Sequence, residues 1–385
     1  MTRTRGLFAL CLAGLVLAAP AAHPANSVPA LPDRTELSAD QARFLKLAED
    51  GIARTKDLWW NSQLGWYNEL LEPDWRPPLM MLWSGYQMFN AVNGIAIADP
   101  TKENIQAVRD FANGAEKYWN PRVKPVGAYA YYPNFVDPNI HYYFDDNGWW
   151  GIAFLDAYRI THDQRYVKDA QKAFRFLDVA GWDEKGGGGF WWETKHLHKT
   201  AEPLAAGVLI GARLYQATHD RSYLQKARLW LGWANSKAWN KGRGLYQRSE
   251  SDDTVMSYVE GLMAAANAEL CKITKEQGYC SRAELVARNS LPAFGVDLSW
   301  SPRYDAVALY GFLNLYALDR DPSWYSFAYH NAQRALANSK DDKGLYLNDW
   351  DGTPRTTDDQ LQGQIGTYAA TLSVFAWLAA SPLPR

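Results

Sequence analysis

Two adjacent carboxylates stand in the most chemically loaded stretch of the chain, His141-Tyr142-Tyr143-Phe144-Asp145-Asp146-Asn147-Gly148-Trp149-Trp150. The apolar run Gly151-Ile152-Ala153-Phe154-Leu155 follows, so Asp145 and Asp146 fall where a helix begins. Acids at that place are favoured by the helix dipole and can cap free amides. Capping needs only one of them, and two neighbouring carboxylates repel. Tyr142, Tyr143, Phe144, Trp149 and Trp150 would surround the pair with low-dielectric surface, which pushes a carboxyl pKa upward. One ionised and one protonated carboxyl is the combination that cleavage of a glycosidic bond requires, as nucleophile or base and as general acid. The 18 Trp and 22 Tyr point the same way, because aromatic faces cover the apolar side of a sugar ring. Most of them must nevertheless be core.

Other residues compete for a role. Asp252-Asp253 precedes a helix expected near Val255, and Asp358-Asp359 one near Gln360. Capping accounts for each pair, although both would also face a cavity if those helices were inner ones. Glu193 and Glu260 are lone acids expected on the cavity side. Tyr143, Asn147, Tyr258 and the tryptophans Trp149, Trp150, Trp191 and Trp192 are expected to bind sugar, with at least two of the four indoles stacking on it. Metal and nucleotide chemistry lack their motifs: His196-Leu197-His198 has no zinc spacing, and Gly186–Gly189 is not followed by the Lys-Ser/Thr of a phosphate loop. No cofactor is expected. Lys+Arg is 40 against Asp+Glu 42, so no basic field is available for nucleic acid.

The elements that must position these residues read as helices throughout. Hydrophobic periodicity predicts twelve, over 38–57, 79–97, 101–118, 146–161, 164–180, 202–218, 221–237, 254–272, 280–291, 304–319, 322–338 and 360–380. The chain also echoes itself. His162-Asp163-Gln164-Arg165-Tyr166 returns as His219-Asp220-Arg221-Ser222-Tyr223 and as Arg320-Asp321-Pro322-Ser323-Trp324. Gly65-Trp66-Tyr67 returns as Gly189-Phe190-Trp191, Gly244-Leu245-Tyr246 and Gly344-Leu345-Tyr346. Spacings of about one helix pair mark an array of hairpins. Segments such as 146–161 and 202–218 are apolar nearly all round, as an inner ring requires, whereas 164–180 carries a polar face. The expectation is an all-α (α/α)6 barrel of six hairpins, a single domain over 37–385.

Ahead of it, Arg3 and Arg5, the apolar run Leu7–Ala19 and the small residues Ala19-Pro20-Ala21-Ala22 read as a signal peptide over 1–22, followed by a polar lead over 23–36. That places the protein outside the cytoplasm, secreted or periplasmic, as an expected monomer without an integral membrane segment. Cys271 and Cys280 are then expected to be bridged.

Tyr143-Phe144-Asp145-Asp146-Asn147-Gly148-Trp149-Trp150-Gly151-Ile152-Ala153 resembles the signature of glycoside hydrolase family 76. Gly187-Gly188-Gly189-Phe190-Trp191-Trp192 and Gly211-Ala212-Arg213-Leu214-Tyr215 are similar to that family's Gly-rich loop and following inner helix. The resemblance implies a retaining, endo-acting enzyme on α-1,6-linked mannan or a related α-linked polysaccharide, with Asp145 as nucleophile and Asp146 as acid/base. Thr200-Ala201-Glu202-Pro203-Leu204 departs from the family, which carries Asn residues there. Tyr258-Val259-Glu260-Gly261 departs from its Asn-Gln-Gly. Both positions are expected to line the cavity. The competing readings are a non-catalytic glycan-binding barrel and a transglycosylase of the same fold; epimerisation is disfavoured by the few histidines at inner-helix starts.

Overall fold

A short polar punctuation between helices sets each hairpin. His162, His219 and Arg320 are left-handed, with φ of 56°, 59° and 62°. The aspartate after each opens the next helix: Asp163, Asp220 and Asp321 accept from the amides of Arg165, Ser222 and Ser323 at 3.0, 2.9 and 3.0 Å. A side chain in the left-handed region costs on the order of 1 kcal/mol, which an aspartate cap of similar size offsets. This is the physical content of the first sequence echo. Lys275 is a further copy, with φ of 61°, that the echo does not reveal because the following Glu276 makes no side-chain cap.

The second echo has a different origin. The structure, a computed structural model, describes residues 37–72, 78–134, 141–354 and 362–383. Within them, two-residue strands form three antiparallel ribbons: β1 Trp60–Asn61 with β2 Trp66–Tyr67, β3 Trp119–Asn120 with β4 Ala128–Tyr129, and β5 Trp239–Asn240 with β6 Leu245–Tyr246. Each is too short to register as an alternating strand pattern. Gly65 and Gly244 turn two of them at φ of 59° and 64°. The asparagine of each Trp-Asn pair folds its turn, with Asn61 and Asn240 Oδ1 accepting amides at 3.1 Å and Asn120 at 3.0 Å. This Trp-Asn repeat went unread in the sequence.

Twelve α-helices are present among the described residues: α1 Ala39–Leu58, α2 Leu82–Ala98, α3 Lys102–Ala115, α4 Phe144–Thr161, α5 Gln164–Phe176, α6 Glu202–Thr218, α7 Arg221–Trp233, α8 Ser257–Thr274, α9 Gln277–Phe294, α10 Pro302–Asp319, α11 Pro322–Asn338 and α12 Ile365–Ala380. The even-numbered helices are buried along almost their whole length. Each packs on the next, and α12 packs back on α2, so the inner ring closes. The odd-numbered helices pack outside it; α5 buries only one face, as its amphipathic sequence demands. The architecture is the expected (α/α)6 barrel. The proposed signal and lead segments and Asp358-Asp359 lie outside the described residues, and no described helix is long and apolar enough to cross a membrane.

Two contacts fix the ring locally. Cys271 and Cys280 are bonded, tying the end of α8 to the start of α9. Helices α8 and α10 approach backbone to backbone at Gly261 and Gly311, where a Cβ on Gly311 would come within 2.1 Å of the Gly261 carbonyl oxygen. Gly311→Ala should therefore destabilise the protein by about 1–3 kcal/mol through overpacking. Urea unfolding should show a lower midpoint at an unchanged slope. Thiol titration of the denatured, non-reduced protein lacking residues 1–22 should find no free cysteine.

Candidate active site

All six inner helices run in the same direction, so their first turns open at one end of the barrel. There they enclose a cavity of about 860 Å³. Its wall is built from Trp83 on α2, Asp145, Asp146 and Trp149 on α4, Glu202 on α6, Tyr258 on α8, and Arg303 and Tyr304 on α10. Its rim adds Tyr131, Tyr132, Tyr143, Trp192, Arg248 and Trp300.

One local rule decides which residues of a first turn face the cavity. The fourth residue of α4, Asn147, is fully buried and clamps the preceding ribbon: its Oδ1 accepts from Tyr129 N at 2.7 Å and its Nδ2 donates to Tyr129 O at 3.0 Å. The fourth residue of α8, Glu260, does the same for Tyr246 N at 2.9 Å, and the fourth residue of α10, Asp305, accepts from Trp300 N and Ser301 N at 3.0 and 3.1 Å. With the fourth position pinned to a loop, the second or third points into the cavity: Asp145 and Asp146 on α4, Tyr258 on α8, Arg303 and Tyr304 on α10.

Asp145 is held by two donors. Trp192 Nε1 donates to Oδ2 at 3.0 Å and the Asp146 amide to Oδ1 at 3.0 Å. Burial pushes its pKa up to about 6, against the opposing pull of those bonds and of Arg248. Asp146 is buried and is raised well above the usual carboxylate range, first by burial and then by the charge of Asp145, with Arg303 opposing. The site therefore separates two identical side chains into an ionisable carboxylate and a persistently protonated acid. Glu202 is a third carboxyl in the same wall, raised to about 7 by burial and by Asp145 and opposed by Arg248, whose Nε lies 3.5 Å from its Oε1.

The structure thus brings together Tyr143, Asp145, Asp146, Trp149, Trp192 and Tyr258 of the residues expected from sequence. Seven others it places elsewhere. Trp150 is turned about 100° from Trp149 around α4 and is wholly buried, donating Nε1 to Leu82 O at 2.9 Å. Trp191 stacks on His196 at 5.1 Å outside the cavity. Asn147 and Glu260 are the loop clamps described above. Asp252 and Asp253 cap nothing, because α8 begins at Ser257; Asp252 closes a turn on Thr254 N at 3.0 Å, and Asp253 pairs with Arg243 at 3.3 Å. Glu193 is a loop clamp too, accepting from Leu197 N at 3.3 Å and lying 3.3 Å from His141. Of the two departures expected in the cavity, Glu202 lines it and Glu260 does not. Sequence reasoning missed Trp83, Arg248, Trp300, Arg303 and Tyr304. Only Trp83, Arg303 and Tyr304 had a usable signal, as residues of an inner helix's first turn.

The sequence model of glycosyl hydrolase family 76 matches residues 114–300, which carry Asp145, Asp146, Glu202 and Tyr258 of the wall and Trp192, Arg248 and Trp300 of the rim. The match takes in just under half of the chain. The family 76 mannosidase of Bacteroides thetaiotaomicron VPI-5482 superposes with a TM-score of 0.78 at 20% identity, over 88% of this chain and 98% of that one. The family 76 α-1,6-mannanase of Salegentibacter sp. HEL1_6 gives a TM-score of 0.70 at 19% identity, over 87% and 99%. An inactive form of it, with two consecutive aspartates replaced by asparagine and in complex with α-1,6-mannotriose, gives 0.71 at 18% identity, over 87% and 99%. Among curated proteins none matches in sequence. The likeness to these family 76 structures is one of fold.

Stability should carry the imprint of this site. A carboxyl whose pKa is raised on folding keeps a proton that the unfolded chain has already released. Its contribution is therefore most favourable below the ordinary value of 3.8 and is lost as pH rises through the folded value, about 6 for Asp145. Asp146→Asn removes the larger of the two penalties. Its Tm should exceed that of wild type at neutral pH, and the gap should close toward about pH 4, as read by calorimetry across that range.

Proposed function

We propose that the protein is an exported retaining glycosidase, endo-acting on α-1,6-linked mannan or a closely related α-linked polysaccharide. The observation that carries this reading is the pair Asp145 and Asp146, consecutive, differently ionised and set in one aromatic-walled cavity. Asp145 attacks the anomeric carbon while Asp146 gives its proton to the departing sugar oxygen, and the glycosidic bond breaks. The Asp146 carboxylate then takes a proton from water as that water displaces Asp145, so the configuration is retained. Trp192 holds the nucleophile's second oxygen in place. The paired aspartates replaced in the inactive mannotriose complex support these roles by analogy.

Endo action is supported by the shape of the site. A second cavity of about 450 Å³ shares Arg248 with the main one and would extend the room for a polymer beyond the acids. The half-buried Trp192 and the exposed Trp300 offer apolar faces for sugar rings, while Trp149 is fully buried against Tyr258 with its ring 6.0 Å away. Export is supported by the amino-terminal pattern Arg3, Arg5, Leu7–Ala19 and by the disulfide.

Asp145→Asn should lose about 10⁴-fold or more in kcat on every substrate, the scale on which removal of a nucleophile acts. Asp146→Asn should lose polymer hydrolysis yet cleave an activated aryl mannoside, whose leaving group needs no proton. In wild type the acid limb of the kcat/KM profile should fall near pH 6, where Asp145 ionises. Near-normal hydrolysis of linear α-1,6-mannan by either variant, followed by product analysis, would move the reaction away from this pair.

A further inference from the structure

The catalytic cavity holds a buried polar group that the two aspartates do not use. Glu202 opens α6 and is 2% exposed. Its Oε1 faces Arg248 Nε at 3.5 Å, but its Oε2 is buried with no hydrogen-bond partner. Its own amide and the Tyr258 hydroxyl both act on the carboxyl and lower its pKa, but neither gives Oε2 a well-formed hydrogen bond, and the Tyr258 hydroxyl also lies 3.6 Å from Met256 Sδ. Pro203 follows, so the helix start offers no amide at that position. A carboxylate oxygen kept from water without a donor is costly, and an orphan of this kind on a cavity wall calls for a donor from the ligand.

The charges around it say what sort of donor. Two guanidiniums, Arg248 and Arg303, face the carboxyl groups of Asp145, Asp146 and Glu202 there. A hydroxyl satisfies the orphan oxygen without adding the further buried charge that a cationic amino sugar or an anionic uronic acid would bring.

We infer that Glu202 is a specificity-determining residue of this site: its Oε2 accepts a hydrogen bond from one hydroxyl of the uncharged sugar held beside Asp145, while Arg248 orients the carboxylate. The inference rests on the glycosidase reading above and adds to it the group that selects the sugar.

The test is a coupling measurement. Wild type, Glu202→Gln and Glu202→Ala are compared on α-1,6-mannotetraose, on isomaltotetraose and on mannotetraoses lacking one hydroxyl at a time. Binding is followed by intrinsic fluorescence, since Trp149 and Trp192 line the cavity, and turnover by kcat/KM. Glu202→Ala should lose about 100-fold in kcat/KM on the intact sugar, the upper scale for one hydrogen-bonding group left unpaired. One singly deoxygenated sugar should lose a similar factor on wild type, and combining the two changes should cost little more than either alone. Glu202→Gln, which preserves shape and one acceptor, should retain more activity than Glu202→Ala. Penalties that simply add for every deoxygenated position would overturn the inference, as would equal sugar affinity with and without Glu202. Those outcomes are distinct from failure of wild type to cleave any of the sugars while still binding them through Glu202, which would remove the reaction proposed above and leave the recognition intact.

Discussion

Everything at the site depends on one topological constraint: each hairpin sends its inner helix the same way, so six helix starts converge on one end of a closed ring. A helix start carries free amides and the positive end of a dipole. Gathering several of them around one cavity makes a place where carboxylates can be tolerated out of water. The ring cannot be loosened to relieve crowding, because α8 and α10 touch through the Gly261 and Gly311 backbones, and Gly148 and Gly151 lie just as close to Ala206 and Ile210. The glycines beside the acids are therefore packing devices that bring α4 against α6, which is what brings Asp145 within electrostatic reach of Glu202.

The electrostatic consequence is a cavity with more acid than it can ionise. Burial is the first cause of the raised pKa of Asp145, Asp146 and Glu202 alike, and each is then set apart by its nearest charge or donor. Asp145 has an indole and an amide, Glu202 has Arg248, and Asp146 is left to hold its proton. Three acids in one pocket are raised to different degrees because their neighbours differ, not because their chemistry does.

The opposite end of the barrel is closed by a different device. Arg213 on α6 donates to Asp156 on α4 at 3.2 Å, to the Tyr310 hydroxyl on α10 at 2.7 Å and to Asn314 at 2.8 Å, while Tyr310 donates to Asp156 at 2.7 Å. A buried charge group so fully paired spans the ring and fixes the distances between helices that are not sequence neighbours. It sits beside a smaller cavity of about 250 Å³, where Arg213 is already engaged with Asp156 and Glu269. The two ends divide the work: one clasps the ring, the other leaves polar groups facing inward.

Much of this was legible in the chain. Helix count, hairpin spacing and the inner-outer alternation follow from local periodicity, and the capping aspartates of the first echo act within a few residues of themselves. The acid pair was legible too, since adjacency at a helix start in an aromatic segment is a local fact. What sequence alone misjudged were directions. Trp149 and Trp150 are equivalent as letters, yet a turn of about 100° per residue gives one to the cavity and the other to the core. Glu260 and Asn147 look like cavity groups until the fourth position of the inner helix is seen to clamp its ribbon. Arg248 and Trp300 belong to loops whose place at the mouth no local pattern encodes. The sequence by itself determined the ring of helices and its adjacent acid pair, because those are written at the range of one helical turn. Only the tertiary structure decided which side chains share the cavity and which carboxyl keeps its proton, because burial and charge act through space between segments far apart in the chain.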